Sequence, residues 1–365
     1  MKLNFIDLRT QYLKYKSEID REIADVFDST QFIMGNKVAE IEKSLAGYIG
    51  VHYGIGVSSG TDALLLSLMA YGIKSGDEVI CPPFTFIATA EVISLLGARP
   101  VFVDIDERTY NIDPSLIEKK ITDRTKGIIT VSLYGQVADM DSINSMAKQH
   151  GIFVIEDVCQ SYGASYKGKK SCAVSDVSVT SFFPSNPLGC YGDGGMIFTN
   201  NEDTAKVIQS LRNHGQEKRY QHKLIGINGR LDTIQAAVLN AKFPYFEEEI
   251  KLREIKGAYY TGALKEIVVT PYIERHNTSV YAQYSIRTDR RDDLSNYLNG
   301  CDIPTAIHYP VPLHLQEAFE YLGYREGDFP VSEKVSKEIL SLPMSPFITQ
   351  DEQDYVIEKI RGFFK

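Results

Sequence analysis

The sequence lacks the features that mark disulfide-rich, metal-binding and membrane-spanning proteins. Its five cysteines are scattered and include no C-x-x-C pair, so neither a disulfide framework nor a zinc site is indicated, and we expect free, buried thiols. No stretch reaches the roughly 18 apolar residues that span a bilayer. Low-complexity tracts and short repeats are also missing. These absences predict a cytoplasmic protein with no membrane partner and no metal site.

The sequence also has no excess of positive charge. It contains 39 Lys and Arg residues against 48 Asp and Glu residues, which gives a formal net charge of −9 and a pI of about 5.4. This balance argues against a nucleic-acid or anionic-membrane partner, while a local basic pocket for a phosphorylated small molecule stays open. A length of 365 residues with 43% hydrophobic and 24% charged residues is typical of a globular protein with more than one lobe.

Short β-branched runs alternate with helical patterns along much of the chain. The strand candidates are VFVDID (101–106), GIITVSLYG (127–135), IFVIEDV (152–158), VSVTSFF (177–183) and MIFTN (196–200). This alternation predicts an α/β fold with a mostly parallel sheet buried on both faces. After about residue 240, a charged helix, a strand-like SVYAQYSIR and a closing helix predict a smaller α+β domain. We therefore predict a large domain over residues 1–240 and a small C-terminal domain over residues 241–365.

Three segments near these elements could bind a ligand. Ser59-Gly60-Thr61 precedes the helix-like GTDALLLSLMAYG, where backbone N–H groups suit a phosphate, although a plain N-cap explains the same residues. Glu156 and Asp157 end a predicted strand, where a carboxylate keeps a heteroaromatic nitrogen protonated or merely caps the next helix. Phe84 and Phe86, in PPFTF, offer a ring face to a flat cofactor or belong to the core.

Two later segments leave similar alternatives. SFFPSNPLGCYGDGG (181–195) follows a predicted strand, and its glycines shape either a turn beside a ligand or a tight hairpin. His308 and Tyr309, in TAIHYPVPLH, suit a substrate-facing loop, although a structural histidine is the commoner case.

Taken in this order, the motifs resemble the sugar aminotransferase family, the fold-type I pyridoxal-phosphate (PLP) enzymes that act on nucleotide-linked keto-sugars. The matching segments cover essentially the whole chain and include QFIMG, SSGTDAL, PPFTFIATA, VSLYGQ, IEDVCQSYGA, INGRLDTIQAA and IHYPVPLH. The resemblance implies a homodimer with shared active sites. It further implies that Gly60, Thr61 and Ser181 bind the cofactor phosphate, and that Asn228 reaches it from the neighbouring subunit.

The resemblance also assigns the residues around the cofactor ring. Phe86 would stack on the pyridine ring, Asp157 would pair with its nitrogen, and Gln160 would contact its hydroxyl. Where the family has its Schiff-base lysine, this chain has Asn186. An amide is neither an amine nor an effective base, so the chain should be nearly inactive. PLP or pyridoxamine phosphate (PMP) would then be held noncovalently or as an external aldimine with the sugar.

Three explanations for Asn186 remain open: an introduced inactivating substitution, a natural non-catalytic paralogue that binds PLP or a nucleotide sugar, or a variant chemistry. Relatives that dehydrate sugars carry histidine at this position. The surrounding motifs are intact, which favours an introduced substitution.

Within the family, the chain looks most similar to the enzymes that aminate C3 of UDP-2-acetamido-2-deoxy-3-oxo-glucuronate with glutamate, for O-antigen-type surface sugars. Arg230, His308 and Tyr309 are then candidates for binding the diphosphate and the uronate. A 4-aminotransferase acting on a 4-keto-6-deoxy sugar is the alternative.

Overall fold

A seven-stranded sheet forms the centre of the protein, whose computed structural model describes residues 3–365. The helices are α1 (Leu8–Lys14), α2 (Lys16–Ser29), α3 (Asn36–Ile49), α4 (Gly60–Ala70), α5 (Ala88–Leu95), α6 (Pro114–Ile117), α7 (Met140–His150), α8 (Glu202–Leu211), α9 (Thr233–Lys242), α10 (Phe246–Leu264), α11 (Arg291–Gly300), α12 (Pro330–Glu338) and α13 (Gln350–Phe363). The strands are β1 (Tyr53–Val57), β2 (Glu78–Cys81), β3 (Arg99–Phe102), β4 (Thr125–Val131), β5 (Phe153–Asp157), β6 (Ser165–Tyr166), β7 (Lys169–Lys170), β8 (Val177–Ser181), β9 (Gly195–Thr199), β10 (Gln216–Lys218), β11 (Gln221–His222), β12 (Tyr284–Arg287) and β13 (Ile339–Leu342).

The central sheet is mostly parallel, as predicted. Its strand order is β1-β9-β8-β5-β4-β2-β3, and β9 runs antiparallel to both of its neighbours, whereas the other neighbouring pairs are parallel. The carboxyl ends of β1, β2, β4, β5 and β8 therefore meet at one edge. Ligands bind at this edge in open α/β sheets.

Both faces of the sheet are buried, which explains the continuous apolar runs in its strands. Successive side chains of a strand point to opposite faces. Accordingly, Ile128 and Val154 pack in the hydrophobic cluster on one face, and Ile129 and Ile155 pack in the cluster on the other. Burial of each such side chain stabilises the fold by roughly 1.5–3 kcal/mol.

The segment between β8 and β9 is a long loop over residues 182–194, and a tight hairpin is excluded. Ser181 and Gly195 are paired across the two antiparallel strands, so the loop leaves and re-enters the sheet at the same level. It begins at the edge where the other strands end. The loop 182–194 therefore lies beside a cavity at these strand ends.

A third hydrophobic cluster belongs mainly to the C-terminal elements. It joins α10, α11 and α13 to the antiparallel pair β12 and β13, and it also includes Leu3 from the start of the chain. The segment after α11 returns to the large sheet, where the N–H of Leu313 donates to the carbonyl oxygen of Pro83 at 2.8 Å. The division of the chain at residues 240 and 241 stays a prediction.

None of the helices within residues 3–365 is both long enough and apolar enough to cross a membrane. The same residues contain no group of three or more His, Cys, Asp or Glu side chains arranged to hold a metal ion.

Candidate active site

A cavity of about 480 Å³ opens at the carboxyl edge of the central sheet. Of the residues to which the resemblance assigns a role, all line it except Asn228 and Arg230; the further candidates Phe84 and Glu156 are buried and do not line it. The predicted residues in its wall are Gly60, Thr61, Phe86, Asp157, Gln160, Ser181, Asn186, His308 and Tyr309. The fold thus collects side chains that are up to about 250 positions apart in the chain into a space of the size that small-molecule ligands occupy.

The N-terminus of α4 forms one end of the cavity. The Ser59 side chain caps this helix by accepting from the N–H of Asp62 at 3.0 Å. Within the described residues, the N–H groups of Gly60 and Thr61 donate to no protein acceptor. A Cβ on Gly60 would lie 2.7 Å from Cβ of Ser181, so the helix start and the end of β8 are in close contact. Open N–H groups, a helix dipole and a nearby hydroxyl together suit a phosphate.

Asp157 is the last residue of β5 and is buried in the cavity wall, with 7% of its surface exposed. The N–H of Cys159 donates to its Oδ1 at 3.1 Å. Burial raises the pKa of the Asp157 carboxyl, although hydrogen bonds from Cys159 and Thr89 oppose this rise. A buried carboxylate is costly without a cation, so a protonated ring nitrogen would be a fitting partner.

Two aromatic side chains form another part of the cavity wall. Phe86 is 54% exposed, and its ring centre lies 6.2 Å from that of Tyr309. Nε2 of Gln160 donates to the Tyr309 hydroxyl at 3.1 Å, and its Oε1 accepts from the N–H of Tyr134 at 2.9 Å. Two aromatic rings and a fixed amide therefore leave a slot suited to a flat ring.

His308 joins this wall from the C-terminal part of the chain. Its Nδ1 lies 3.0 Å from Oγ of Ser341 in β13, and its carbonyl oxygen accepts from the Tyr134 hydroxyl. Burial lowers the pKa of His308 below its ordinary value. The imidazole is therefore neutral at neutral pH and would bind a carboxylate by hydrogen bonding without a full charge.

Asn186 lies on the loop 182–194 and faces the cavity. Its Nδ2 donates to the carbonyl oxygen of Ser181 at 3.1 Å, and its N–H donates to that of Phe183 at 2.9 Å. Both acceptors lie within five residues of Asn186, so the side chain is held close to the C-terminal end of β8. Asn186 therefore lines the same cavity as the start of α4 and Asp157.

Asn228 and Arg230 lie outside this cavity. Asn228 is exposed and pairs through its backbone with Asn213. Nη1 of Arg230 donates to Oδ1 of Asn213 at 2.7 Å, and Arg230 lines a separate space of about 450 Å³. This space shares Ser59 and Asp193 with the larger cavity. Within one chain, Arg230 is thus not brought together with His308 and Tyr309.

Several cavity residues were missed by the sequence reasoning. Phe183 and Asp193 flank Asn186 on the loop, and their closeness to Ser181 and to the glycine-rich turn was the available signal. Gln283 had no such signal, since it stands alone in the strand-like SVYAQYSIR. It lines the cavity, and its Oε1 has no hydrogen-bond partner within residues 3–365.

The cavity as a whole fits a flat, phosphate-bearing, nitrogen-containing ring. The open N–H groups of α4 would suit the phosphate, the exposed ring of Phe86 could cover a face of the ring, and the buried Asp157 could pair with its nitrogen. These features come from separate elements of the fold. A helix cap or a core residue could explain each of them alone, but not their convergence on one cavity.

Comparison with known proteins points the same way. The model of the DegT/DnrJ/EryC1/StrS aminotransferase family matches residues 14–361. A UDP-2-acetamido-2-deoxy-3-oxo-D-glucuronate aminotransferase of Pseudomonas aeruginosa is 52% identical over 347 residues, which cover 95% of this chain and 96% of the relative. A dTDP-3-amino-3,6-dideoxy-alpha-D-galactopyranose transaminase of Aneurinibacillus thermoaerophilus is 41% identical over 360 residues, covering 98% and 99%. The structure of NtdA from Bacillus subtilis with bound cofactor PMP superposes with a TM-score of 0.92 at 30% identity, covering 100% of this chain and 85% of that one.

Proposed function

The chain belongs to the DegT/DnrJ/EryC1/StrS aminotransferase family, with PLP or PMP as its cofactor, and from this premise we propose its substrate and its present state. We propose that the scaffold transfers an amino group from glutamate to C3 of UDP-2-acetamido-2-deoxy-3-oxo-glucuronate, in the synthesis of an O-antigen-type surface polysaccharide. The observation that carries the proposal is the one cavity that unites the start of α4, Asp157 and residue 186. The 52% identical relative supports the choice of sugar.

The chain's own residues would hold the cofactor at three places: its phosphate, a face of its ring and its ring nitrogen. The N–H groups of Gly60 and Thr61 and the hydroxyl of Ser181 bind the phosphate, and Phe86 covers the ring. Asp157 keeps the ring nitrogen protonated, because a buried carboxylate is stabilised by a cation beside it. When bound, the cofactor supplies the electron sink and the amino-group carrier that protein side chains lack.

Residue 186 decides how far the reaction proceeds. We propose that it occupies the position of the catalytic lysine. The Asn186 amide cannot take up or deliver a proton at neutral pH, so the residue can hold its place but cannot act as a base. Within residues 3–365, no side chain in the cavity wall carries an amine. The chain therefore binds the cofactor but turns over at least about 10³-fold more slowly than a lysine-bearing counterpart.

The substrate end of the cavity is built by His308 and Tyr309. A neutral imidazole held by Ser341 and a phenol held by Gln160 can both donate to a uronate carboxylate. Arg230 supplies the strong cation that a diphosphate or carboxylate needs, and we assign it to the site of a second copy of the chain.

We further propose a homodimer with shared sites. The last turns of α2 and the segment between α2 and α3 expose a group of large apolar side chains, namely Phe27, Phe32, Ile33 and Met34. The N–H of Thr233 binds the carbonyl oxygen of Phe32, so this group lies next to the segment 228–232 that carries Asn228 and Arg230. A second copy covering this face would bring Asn228 to the partner's phosphate-binding residues.

A non-catalytic binding protein is the second candidate, and Asn186 is the observation that favours it. Such a protein would retain the cofactor or the nucleotide sugar without turnover. A third candidate is the same reaction on a different nucleotide sugar, which the relative that acts on a dTDP-sugar supports.

The decisive experiment restores the amine. Asn186→Lys is expected to aminate the UDP-linked 3-keto uronate with glutamate and PLP, at least about 10³-fold faster than the original chain, with the product identified by mass spectrometry. Asn186→Gln, which is longer but has no amine, serves as the matched control and should remain inactive. Amination of a dTDP-linked keto-sugar instead would replace the proposed substrate. A folded, PLP-bound lysine variant that aminates none of these sugars would contradict the aminotransferase proposal and favour the binding protein.

A further inference from the structure

A buried lysine lies behind the loop that carries Asn186. Lys242, the last residue of α9, is 3% exposed, and its Nζ donates a hydrogen bond to the carbonyl oxygen of Gly189. The same ammonium lies 5.4 Å from the centre of the Tyr191 ring. Lysine is rarely buried to this degree, because its charge is costly to remove from water. The side chain reaches out of its own helix and is held by the loop.

Gly189 links this lysine to residue 186. A Cβ on Gly189 would lie 2.5 Å from the carbonyl oxygen of Pro184 and 2.6 Å from that of Phe183, so the loop is folded tightly on itself. The Phe183 carbonyl in turn accepts from the N–H of Asn186. A displacement of Gly189 therefore moves the turn that fixes Asn186.

Glu249 favours the protonated form of the lysine. Burial lowers the pKa of Lys242 to about 8, and the charge of Glu249 opposes this fall. Glu249 is itself buried in α10 and accepts two bonds from Nε2 of Gln11, at 2.8 and 3.1 Å. Arg253, one turn further along α10, lines a narrow gap together with Asn186. Charged and amide side chains from three helices thus lie behind the loop.

Stability alone does not explain this arrangement. Burying a lysine costs free energy that an apolar side chain of similar volume does not, so a lysine is a poor choice for filling the space. Its donor, in contrast, reaches one specific carbonyl of the loop. The position of the loop affects the shape of the cavity, because the cavity is lined by Ser181 at the end of β8 and by Phe183, Asn186 and Asp193 of the loop.

We propose that Lys242 is a positioning residue that holds the loop 182–194, and with it residue 186, in place against the cofactor cavity. It acts through the Gly189 carbonyl and contacts neither the cofactor nor the substrate. This proposal does not depend on which sugar the protein uses. It rests on the family membership only because PMP serves as the probe.

Lys242→Met tests the proposal, because methionine fills similar volume without a donor. Asn240→Ala is the matched control: Asn240 lies on the same helix, and its Nδ2 donates to the carbonyl oxygen of Lys37 at 3.0 Å, away from the loop. Hydrogen exchange of the full-length protein is measured for residues 183–191 and, for comparison, residues 233–242. We expect about tenfold faster exchange at the N–H groups of Asn186 and Cys190 in Lys242→Met, and no change there in Asn240→Ala.

Binding of PMP is the second readout, since PMP needs no lysine to be held. The Kd for PMP is expected to rise at least about fivefold in Lys242→Met and to stay unchanged in Asn240→Ala, with Lys242→Arg keeping most of the affinity because it retains a cationic donor. If Lys242→Met does not fold, Lys242→Gln replaces it in both measurements. Faster exchange spread evenly over both segments, with an unchanged Kd for PMP, would show a purely structural lysine and overturn the proposal. Failure of the original chain to bind PMP would count against the proposed function, while the exchange comparison would still decide the role of Lys242.

Discussion

Two adjacent carboxyl groups at the end of β5 have different surroundings and should have different roles. Asp157 faces the cavity, whereas Glu156 is fully buried on the other side of the sheet. Oε1 of Glu156 accepts from the Ser132 hydroxyl at 3.0 Å, and its Oε2 accepts from the N–H of Cys172 at 3.2 Å. Alternation along a strand is the reason that neighbouring residues reach separate environments.

Asp157→Asn should weaken cofactor binding without harming the fold. The variant keeps the shape of the side chain but loses the charge that pairs with the ring nitrogen, so the Kd for PMP is expected to rise by about 10- to 100-fold. The melting temperature should be unchanged or higher, because burial already penalises that charge. Fluorescence titration with PMP and thermal unfolding at one pH measure the two effects. An unchanged Kd would remove Asp157 from the cofactor site.

Glu156→Gln is the control for this prediction and has its own pH dependence. Burial raises the pKa of Glu156 to about 7, above its value in the unfolded chain, so its stabilising contribution is full below about pH 4 and is lost as the pH rises through 7. Glutamine does not ionise; its amide oxygen can accept from the N–H of Cys172, and its Nε2 can donate to the Ser132 hydroxyl oxygen, which reverses that bond. Relative to the original chain, the variant should gain up to about 3 kcal/mol in free energy of unfolding between pH 4 and pH 8 in urea titrations, with an unchanged Kd for PMP. An equal difference at both pH values would contradict the raised pKa.

The contact between α4 and β8 determines whether the phosphate site can form. Gly60→Ala would place a Cβ 2.7 Å from Cβ of Ser181 and 3.2 Å from Sγ of Cys159, so the helix start must move away from the strand. We expect a loss of about 1–3 kcal/mol in stability and at least tenfold weaker PMP binding. Gly47→Ala, in the last turn of α3 with nothing within 4 Å of the new Cβ, is the matched control. It should raise stability by up to about 1 kcal/mol and leave PMP binding unchanged. Full PMP affinity in Gly60→Ala would place the phosphate elsewhere.

At the scale of the whole molecule, shared active sites can be tested with hybrid dimers. An Asp157→Asn chain and an Asn228→Ala chain, each carrying a different tag, are mixed and the hybrid is purified on both tags. If Asn228 serves the partner's site, one site of the hybrid receives both original residues and the other receives neither. The hybrid should then bind one PMP per two chains with the original affinity, while each parent binds more weakly. Weak binding at both sites of the hybrid would mean that each chain completes its own site.

The α/β architecture, the family and the cofactor were predicted from the sequence and are confirmed. The architecture was predictable because β-branched runs of one strand's length and helical periodicity express short-range rules. The family and the cofactor were predicted from the resemblance of the ordered motifs to the sugar aminotransferases. Even so, the boundaries differ. The predicted strand VFVDID is β3 only as far as Phe102, because Asp104 and Asp106 turn the chain by accepting backbone N–H bonds.

The absence of an amine at position 186 also followed from the sequence alone, because it depends only on the identity of that residue. Only the tertiary structure decided what surrounds it. Three features depend on contacts between residues far apart in the chain. Gln283, which directly precedes β12, reaches the cavity; β9 runs antiparallel to its neighbours; and Lys242 binds the carbonyl oxygen of Gly189 in the loop 182–194. Periodicity and turn chemistry carry no information about such contacts, because they arise when separate elements pack together and bury their surfaces in a common interior.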